Sequence, residues 1–284
     1  MKKIYKRFLH YANRLKNIIK KQELRILPGQ VAFYIVLSMI PMVTLVGVLA
    51  SQFSISMSSV TEALSDILPN QIIEILLPAF NSPSFGVGLP MIIAFFMASN
   101  GTCSLIIASN TLFKIESDSY IRKRIKALIM LIILILLFLF MIVVMAFGTN
   151  LLEFLYGLFF GKAMPTLVRY LFLLIRWTLG ISIMYLMIKT IFTMAPDETI
   201  PSRNMTKGAI FTTITWLFAT FIYSIYVNNF SNYNVFYSSL AGIVVLMIWI
   251  YILSYALIIG IAINSDSYLR KLKEEEKSLE EKKV

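Results

Sequence analysis

Two arginines lie seven residues apart in the apolar stretch LVRYLFLLIRWTLG, residues 167–180. A guanidinium group can form two parallel hydrogen bonds to a phosphate or a carboxylate. Seven residues make nearly two helical turns, so Arg169 and Arg176 share one helix face about 10 Å apart. A charge near the bilayer centre costs at least about 2.5–3.5 kcal/mol, so this spacing indicates an anion-binding stripe. The alternative is that Arg176 bonds carbonyls and hydroxyls of neighbouring helices.

Polar residues also interrupt other apolar runs. Ser38 and Pro41 lie in the first run, and Asn100 and Asn110 lie in the second. Such residues usually mediate close helix packing, where an interhelical hydrogen bond contributes about 0.6 kcal/mol. They can instead line a water-filled or headgroup-accessible cavity, since a proline exposes helix carbonyls. On the cavity interpretation, these four residues join the two arginines as candidate substrate-binding residues.

The composition predicts an integral membrane protein. Of the 284 residues, 58% are hydrophobic and only 14% are charged. A single histidine, His10, and a single cysteine, Cys103, cannot supply a zinc site, a Cys–His nucleophile pair or an intrachain disulfide. The GxxxxGK[ST] phosphate-binding pattern is absent as well. The sequence therefore predicts neither an enzyme nor a metal or cofactor site.

Hydropathy predicts an all-α, polytopic protein with six transmembrane helices in a domain over residues 30–264. Lys and Arg are concentrated in alternate connections, with nine before the first run, five in 114–126, three in 189–207 and six in the tail. Positive residues near span ends stay on the cytoplasmic side, so both termini are predicted to lie in the cytoplasm of a cell-membrane protein. The predicted spans are 31–53, 89–113, 126–148, 166–188, 208–227 and 237–263.

Amphipathic segments flank the spans. Residues 1–29 are predicted to form a basic amphipathic helix that lies in the cytoplasmic interface against anionic lipid headgroups. This placement and the positive-inside rule explain the net charge of +11 without any nucleic-acid partner. Between the first two spans, apolar periodicity around Pro69 predicts two short outer amphipathic helices. The charged tail, residues 265–284, is either a solvated, partly helical extension or a site for a protein partner.

Three motifs, in the first, second and sixth spans, read AFYIVLSMIPMVTLV, NGTCSLIIASNTLFKIES and YSSLAGIVVLMIWIYILSYALIIGIAIN. Together they resemble motifs of the YihY/virulence factor BrkB family of membrane proteins. The resemblance covers nearly all of residues 30–264. The matching residues are Ala32, Phe33, Tyr34, Leu37, Ser38 and Pro41, then Gly101, Asn110 and Glu116, then Tyr237, Leu240, Gly242, Trp249, Tyr251, Gly260 and Asn264.

The resemblance implies a six-helix cytoplasmic-membrane protein with a role in envelope transport. The family has carried a ribonuclease label, but the cytoplasmic connections offer only scattered acidic residues for such chemistry. Two hypotheses remain. The first is a transporter or exporter of an anionic or amphipathic envelope molecule, such as a lipid or lipid precursor. The second is a non-transporting scaffold or envelope regulatory protein, which has no need of charges inside the membrane.

Overall fold

The computed structural model describes residues 18–52, 89–160, 165–230 and 238–281. In these ranges the chain forms helices joined by short connections and no β-strand, so the predicted all-α class is confirmed there. The helices in chain order are α1 Glu23–Gln52, α2 Leu89–Phe113, α3 Tyr120–Phe160, α4 Thr166–Met194, α5 Thr206–Phe230 and α6 Ser238–Glu281, with a 3-10 helix at Ser202–Met205 before α5.

Five segments of the described chain are long and apolar enough to cross a membrane, which makes this a multi-pass membrane protein. The predicted first span falls on α1, and its passage through the membrane stays a prediction. The predicted N-terminal interfacial helix mostly lies outside the described residues, and the outer amphipathic helices lie wholly outside them. The five segments are Ile92–Phe113, Tyr120–Val144, Leu167–Met194, Ser202–Tyr226 and Val244–Glu281.

Helix α3 has a lipid-facing side and a packed side. Exposed apolar residues recur along it at spacings of three and four, which is the period of one helix face. A continuous apolar face of this length suits contact with lipid tails rather than water. The exposed residues are Ile121, Ile125, Ile129, Ile132, Leu136 and Phe140, and those buried on the other side are Ala127, Met130, Leu131, Leu134 and Ile135.

The buried core lies toward the end of the bundle where the connections 114–119 and 195–201 are found. This end is the one predicted to be cytoplasmic. Helix α1 packs mainly against α2 and α6, and the other main neighbours are α2–α3, α3–α4, α4–α5, α5–α6 and α2–α6. The large, fully buried side chains at this end include Leu24, Ile106, Ile188, Phe192, Met205, Leu257, Ile258 and Ile261.

Two glycines allow α5 and α6 to touch through their backbones. A Cβ atom built on Gly208 would lie 2.1 Å from the carbonyl oxygen of Gly260. The side chain of Asn264 joins the same contact, accepting from the Gly208 N–H at 2.7 Å and donating to the Met205 carbonyl at 3.1 Å. The first N–H groups of a helix have no partner within it, so Asn264 of α6 caps the start of α5.

Candidate functional site

Helix α2 ends in a Schellman turn, which brings the following connection back across the helix end. Lys114 has a φ of 60°, the left-handed conformation that ends many helices. The N–H of Ile115 donates to the Asn110 carbonyl at 3.0 Å, and that of Lys114 to the Thr111 carbonyl at 3.4 Å. The turn places the backbone of Asp118 beside the side chain of Asn110.

Asn110 and Asp197, which are 87 residues apart in the chain, bond each other twice. Nδ2 of Asn110 donates to Oδ2 of Asp197 at 2.5 Å, and Oδ1 accepts from the Asp197 N–H at 2.9 Å. The N–H of Asp118 also donates to Oδ2 of Asp197, at 3.2 Å. A single amide side chain on α2 thereby holds the connection between α4 and α5.

Lys126 of α3 completes this group, which we call the Asp197 centre: Asn110, Asp118, Lys126 and Asp197. Its Nζ lies 2.9 Å from Oδ1 of Asp197, and it also donates to the carbonyls of Ala195 and Pro196. Only 4% of the Asp197 side chain is exposed, compared with 26% of that of Lys126. The Asp197 centre thus ties α2, α3 and the α4–α5 connection together at the predicted cytoplasmic end.

The electrostatics of the Asp197 centre keep its carboxylate ionised. Burial alone raises the pKa of Asp197, but hydrogen bonds from Lys126, Asp118 and Asn110 and the charge of Lys126 outweigh it. The net pKa lies below the ordinary value of 3.8. Because the native pKa is lowered, the carboxylate stabilises the fold above pH 3.8, and this contribution is lost as the pH falls through the native pKa.

The Asp197 centre has the chemistry of a structural clamp. An ionised, paired carboxylate cannot act as a general acid at neutral pH, and its lone pairs already accept hydrogen bonds. The described residues contain no group of three or more His, Cys, Asp or Glu side chains that could hold a metal ion. The acidic residues Glu116 and Glu198 nearby are exposed to solvent.

Arg124 forms a second polar centre between α2 and α3. It was not among the predicted site residues. Its guanidinium donates from NH1 to Oδ1 of Asn100 at 2.8 Å and from NH2 to the Phe96 carbonyl at 2.7 Å. The same group lies 3.5 Å from the centre of the Phe96 ring. Arg124 is only 8% exposed, and its Nε is buried without a hydrogen-bond partner among the described residues.

The residues beside Asn100 serve helix packing. Ser38 of α1 accepts from the N–H of Gly101 at 3.1 Å and donates to the Tyr34 carbonyl at 2.6 Å. Thr102 donates to the carbonyl of Ala127 in α3 at 2.9 Å. These contacts fit the packing interpretation of the polar residues in the first two spans.

The structure distributes the six candidate substrate-binding residues over several parts of the bundle. Ser38 of α1 accepts from the Gly101 N–H, Asn100 of α2 accepts from Arg124 of α3, and Asn110 belongs to the Asp197 centre. Pro41 is half-buried within α1. Arg169 is exposed and Arg176 half-buried on α4, and each of the two interacts with another group of the protein.

The model of the virulence factor BrkB family matches residues 18–284. The chain belongs to this family. A BrkB relative, the ribonuclease-like protein YfkH of Bacillus subtilis (strain 168), is 25% identical over 249 residues, which cover 86% of this chain and 90% of that protein. No solved structure matches.

Several of the residues that match the BrkB-family motifs lie where helices meet. Ser38 with Gly101 joins α1 to α2, Asn110 ties α2 to the α4–α5 connection, and Gly260 with Asn264 joins α6 to α5. Phe33 is exposed, and Tyr251 is exposed beside Tyr255, while Tyr237 lies outside the described residues. Trp249 stacks on Tyr223 of α5 with ring centres 4.8 Å apart. Many of the residues in these motifs therefore form close contacts between helices.

Proposed function

We propose that this BrkB-family protein transports an anionic, amphipathic envelope molecule, such as a lipid or lipid precursor, across the membrane or between its leaflets. The observation that carries the proposal is the pair of guanidinium groups on α4. Only 17% of the membrane segment of α4 is buried within the protein, so this helix presents most of its surface outward. An anionic headgroup with apolar tails suits a helix that combines exposed apolar residues with cations.

The depth of Arg176 supports a functional role. Helix α4 begins after Pro165, so Arg169 lies roughly 6 Å and Arg176 roughly 16 Å along the helix from that end. The shallower arginine can extend its charge to the headgroup layer. The deeper one lies near the middle of a hydrocarbon layer that is about 30 Å thick. Charges at such depth usually mark substrate or ion pathways.

A scaffold or regulatory role is the second candidate function. Helix α6 continues past the predicted sixth span, 237–263, into residues 270–281, which are exposed and carry charges of both signs. An exposed helix of this kind can bind a protein partner. A scaffold has no use for guanidinium groups at the depth of Arg176, so the α4 arginines favour transport.

The test replaces Arg176 in protein reconstituted into lipid vesicles. We expect Arg176→Ala to lower the transport rate of a fluorescent phosphatidylglycerol at least tenfold while the protein stays folded. Arg176→Lys should recover only part of the rate, because an ammonium group lacks the bidentate geometry. The matched control is Arg203→Ala, which removes an exposed arginine from the 3-10 helix and should transport normally. Full transport by Arg176→Gln, with Arg176→Ala losing protein level and activity equally, would instead assign Arg176 to packing.

A further inference from the structure

We infer that Arg124 is a binding site for a phosphate group, supplied by an anionic phospholipid that lies against α2 and α3. This site is separate from the α4 arginines, and its occupation does not depend on transport. The phosphate would offset a buried positive charge that the described protein leaves without a carboxylate partner.

The first argument is the charge balance of two neighbouring cations on α3. Lys126 directs its Nζ toward the predicted cytoplasmic end, where Asp197 supplies a carboxylate at 2.9 Å. Arg124 directs its guanidinium to an amide oxygen and a backbone carbonyl, which are both neutral. Arg124 is only 8% exposed, and it forms no ion pair among the residues described. A buried charge without an opposite charge is costly, and a bound anion removes much of that cost.

The second argument is the hydrogen-bonding capacity of the guanidinium. An arginine has five N–H bonds, and the one on Nε of Arg124 is buried with no acceptor in the part of the chain that the structure describes. NH1 and NH2 each use one bond, to Asn100 and to the Phe96 carbonyl. The edge formed by Nε and an adjacent terminal nitrogen is the edge that binds an oxyanion in bidentate fashion.

The third argument is what surrounds and covers this edge. The centre of the Phe96 ring lies 3.5 Å from the Arg124 guanidinium, and Phe96 is 47% exposed, so an outward rotation of this ring would open a path to the guanidinium from the lipid-facing side. Exposed apolar residues flank it along α2, namely Ile92, Ile93 and Met97. An anion that approaches over such a surface must carry apolar tails, which favours a phospholipid over free phosphate.

The position of Arg124 fits a ligand that is anchored in the bilayer. The bond from Thr102 to the Ala127 carbonyl fixes the relative height of α2 and α3. Asn100 is half a helical turn further from the predicted cytoplasmic end, so the guanidinium lies roughly 13 Å along α3 from its start at Tyr120. The backbone of Arg124 is only about 6 Å from that start, and a flexible arginine can therefore meet a headgroup between these two depths.

The experiment measures ligand binding to the purified full chain in detergent, by the shift in its thermal unfolding midpoint. The probes are a short-chain phosphatidylglycerol, a short-chain phosphatidylcholine and inorganic phosphate, each titrated separately. We expect the phosphatidylglycerol to bind at least tenfold more tightly than the phosphatidylcholine and to saturate. Inorganic phosphate should bind at least tenfold more weakly than the phosphatidylglycerol, because it has no tails to contact α2.

Two variants separate a binding role from a packing role. Arg124→Gln should weaken phosphatidylglycerol binding at least tenfold, while the control Arg122→Gln, at a side chain that is 77% exposed, should bind as the wild type does. Phe96→Ala removes the covering ring but keeps the guanidinium, so it should bind the phosphatidylglycerol at least as tightly as the wild type. Wild-type binding by Arg124→Gln, loss of binding in Phe96→Ala, or equal affinity of the wild type for the two lipids would each overturn the site. Equal affinity for inorganic phosphate would overturn the assignment to a lipid.

Discussion

Among Gly→Ala substitutions at the described glycines, Gly208→Ala is expected to destabilise the protein most. The new Cβ would lie 2.1 Å from the Gly260 carbonyl oxygen and 2.5 Å from Nδ2 of Asn264. Real Cβ contacts are never this short, and the nearest atom belongs to a helix backbone that cannot rotate away. Helices α5 and α6 must separate, so we expect a loss of about 3 kcal/mol in the free energy of unfolding.

Gly242→Ala is the matched control for this prediction. Gly242 lies in the same helix as Gly260, and a Cβ built on it meets no other atom of the described residues within 4 Å. Alanine is favoured over glycine inside a helix by about 1 kcal/mol, so this variant should be as stable as the wild type or slightly more stable. The measurement is unfolding by SDS in mixed micelles. Equal stability of Gly208→Ala and Gly242→Ala would show that α5 and α6 are not in backbone contact.

The second large effect is expected from Asn110→Asp. This change removes the amide that donates to Asp197 at 2.5 Å and places a second carboxylate there. Two carboxylates at hydrogen-bonding distance repel each other, and Asp197 also loses a donor. We expect a loss of about 3 kcal/mol at neutral pH. Asn204→Asp is the control, because it makes the same chemical change next to Lys271, whose Nζ lies 3.1 Å from Asn204.

The pH dependence of this variant should have the opposite sign to that of the wild type. In the wild type the Asp197 pKa lies below 3.8, so stability from this carboxylate is constant near neutral pH and falls only under acid conditions. In Asn110→Asp, repulsion raises the pKa of one carboxylate, and the variant should gain stability as the pH falls from 7 toward 5. Identical slopes for both proteins between pH 7 and 5 would contradict the geometry of the Asp197 centre.

The apolar helices could be predicted from the sequence because their signal is local. The predicted second span, 89–113, has the same limits as α2, and the third to sixth predicted spans fall mostly on α3 to α6. The apolar runs do not predict where α3 begins or where α6 ends. Helix α3 begins at Tyr120 rather than at 126 because charged residues continue its first turns, and α6 continues through its charged residues to Glu281.

The polar centres could not be predicted in the same way. Asn110 and Asp197 are 87 residues apart, and only the packed helices bring them together. In the sequence, Asp197 is one of several scattered acidic residues, and nothing around it indicates burial. Arg124 stands among Arg122, Lys123 and Lys126, so the sequence groups it with an exposed basic connection. Arg124 precedes Ala127 and Leu131 by three and seven residues, so it shares their helix face rather than that of the exposed isoleucines, and this periodicity is the signal that could have identified it.

The most direct test of a transporter of anionic amphipathic molecules compares two lipids in vesicles that contain the wild-type protein. Each vesicle carries a fluorescent phosphatidylglycerol or a fluorescent phosphatidylcholine, and an impermeant reductant added outside bleaches only the outer leaflet. We predict that the protein makes the inner pool of phosphatidylglycerol accessible at least tenfold faster than that of phosphatidylcholine. Phosphatidylglycerol exchange at the rate of protein-free vesicles, with the protein folded in the membrane, would contradict transport of this lipid class and favour the scaffold role.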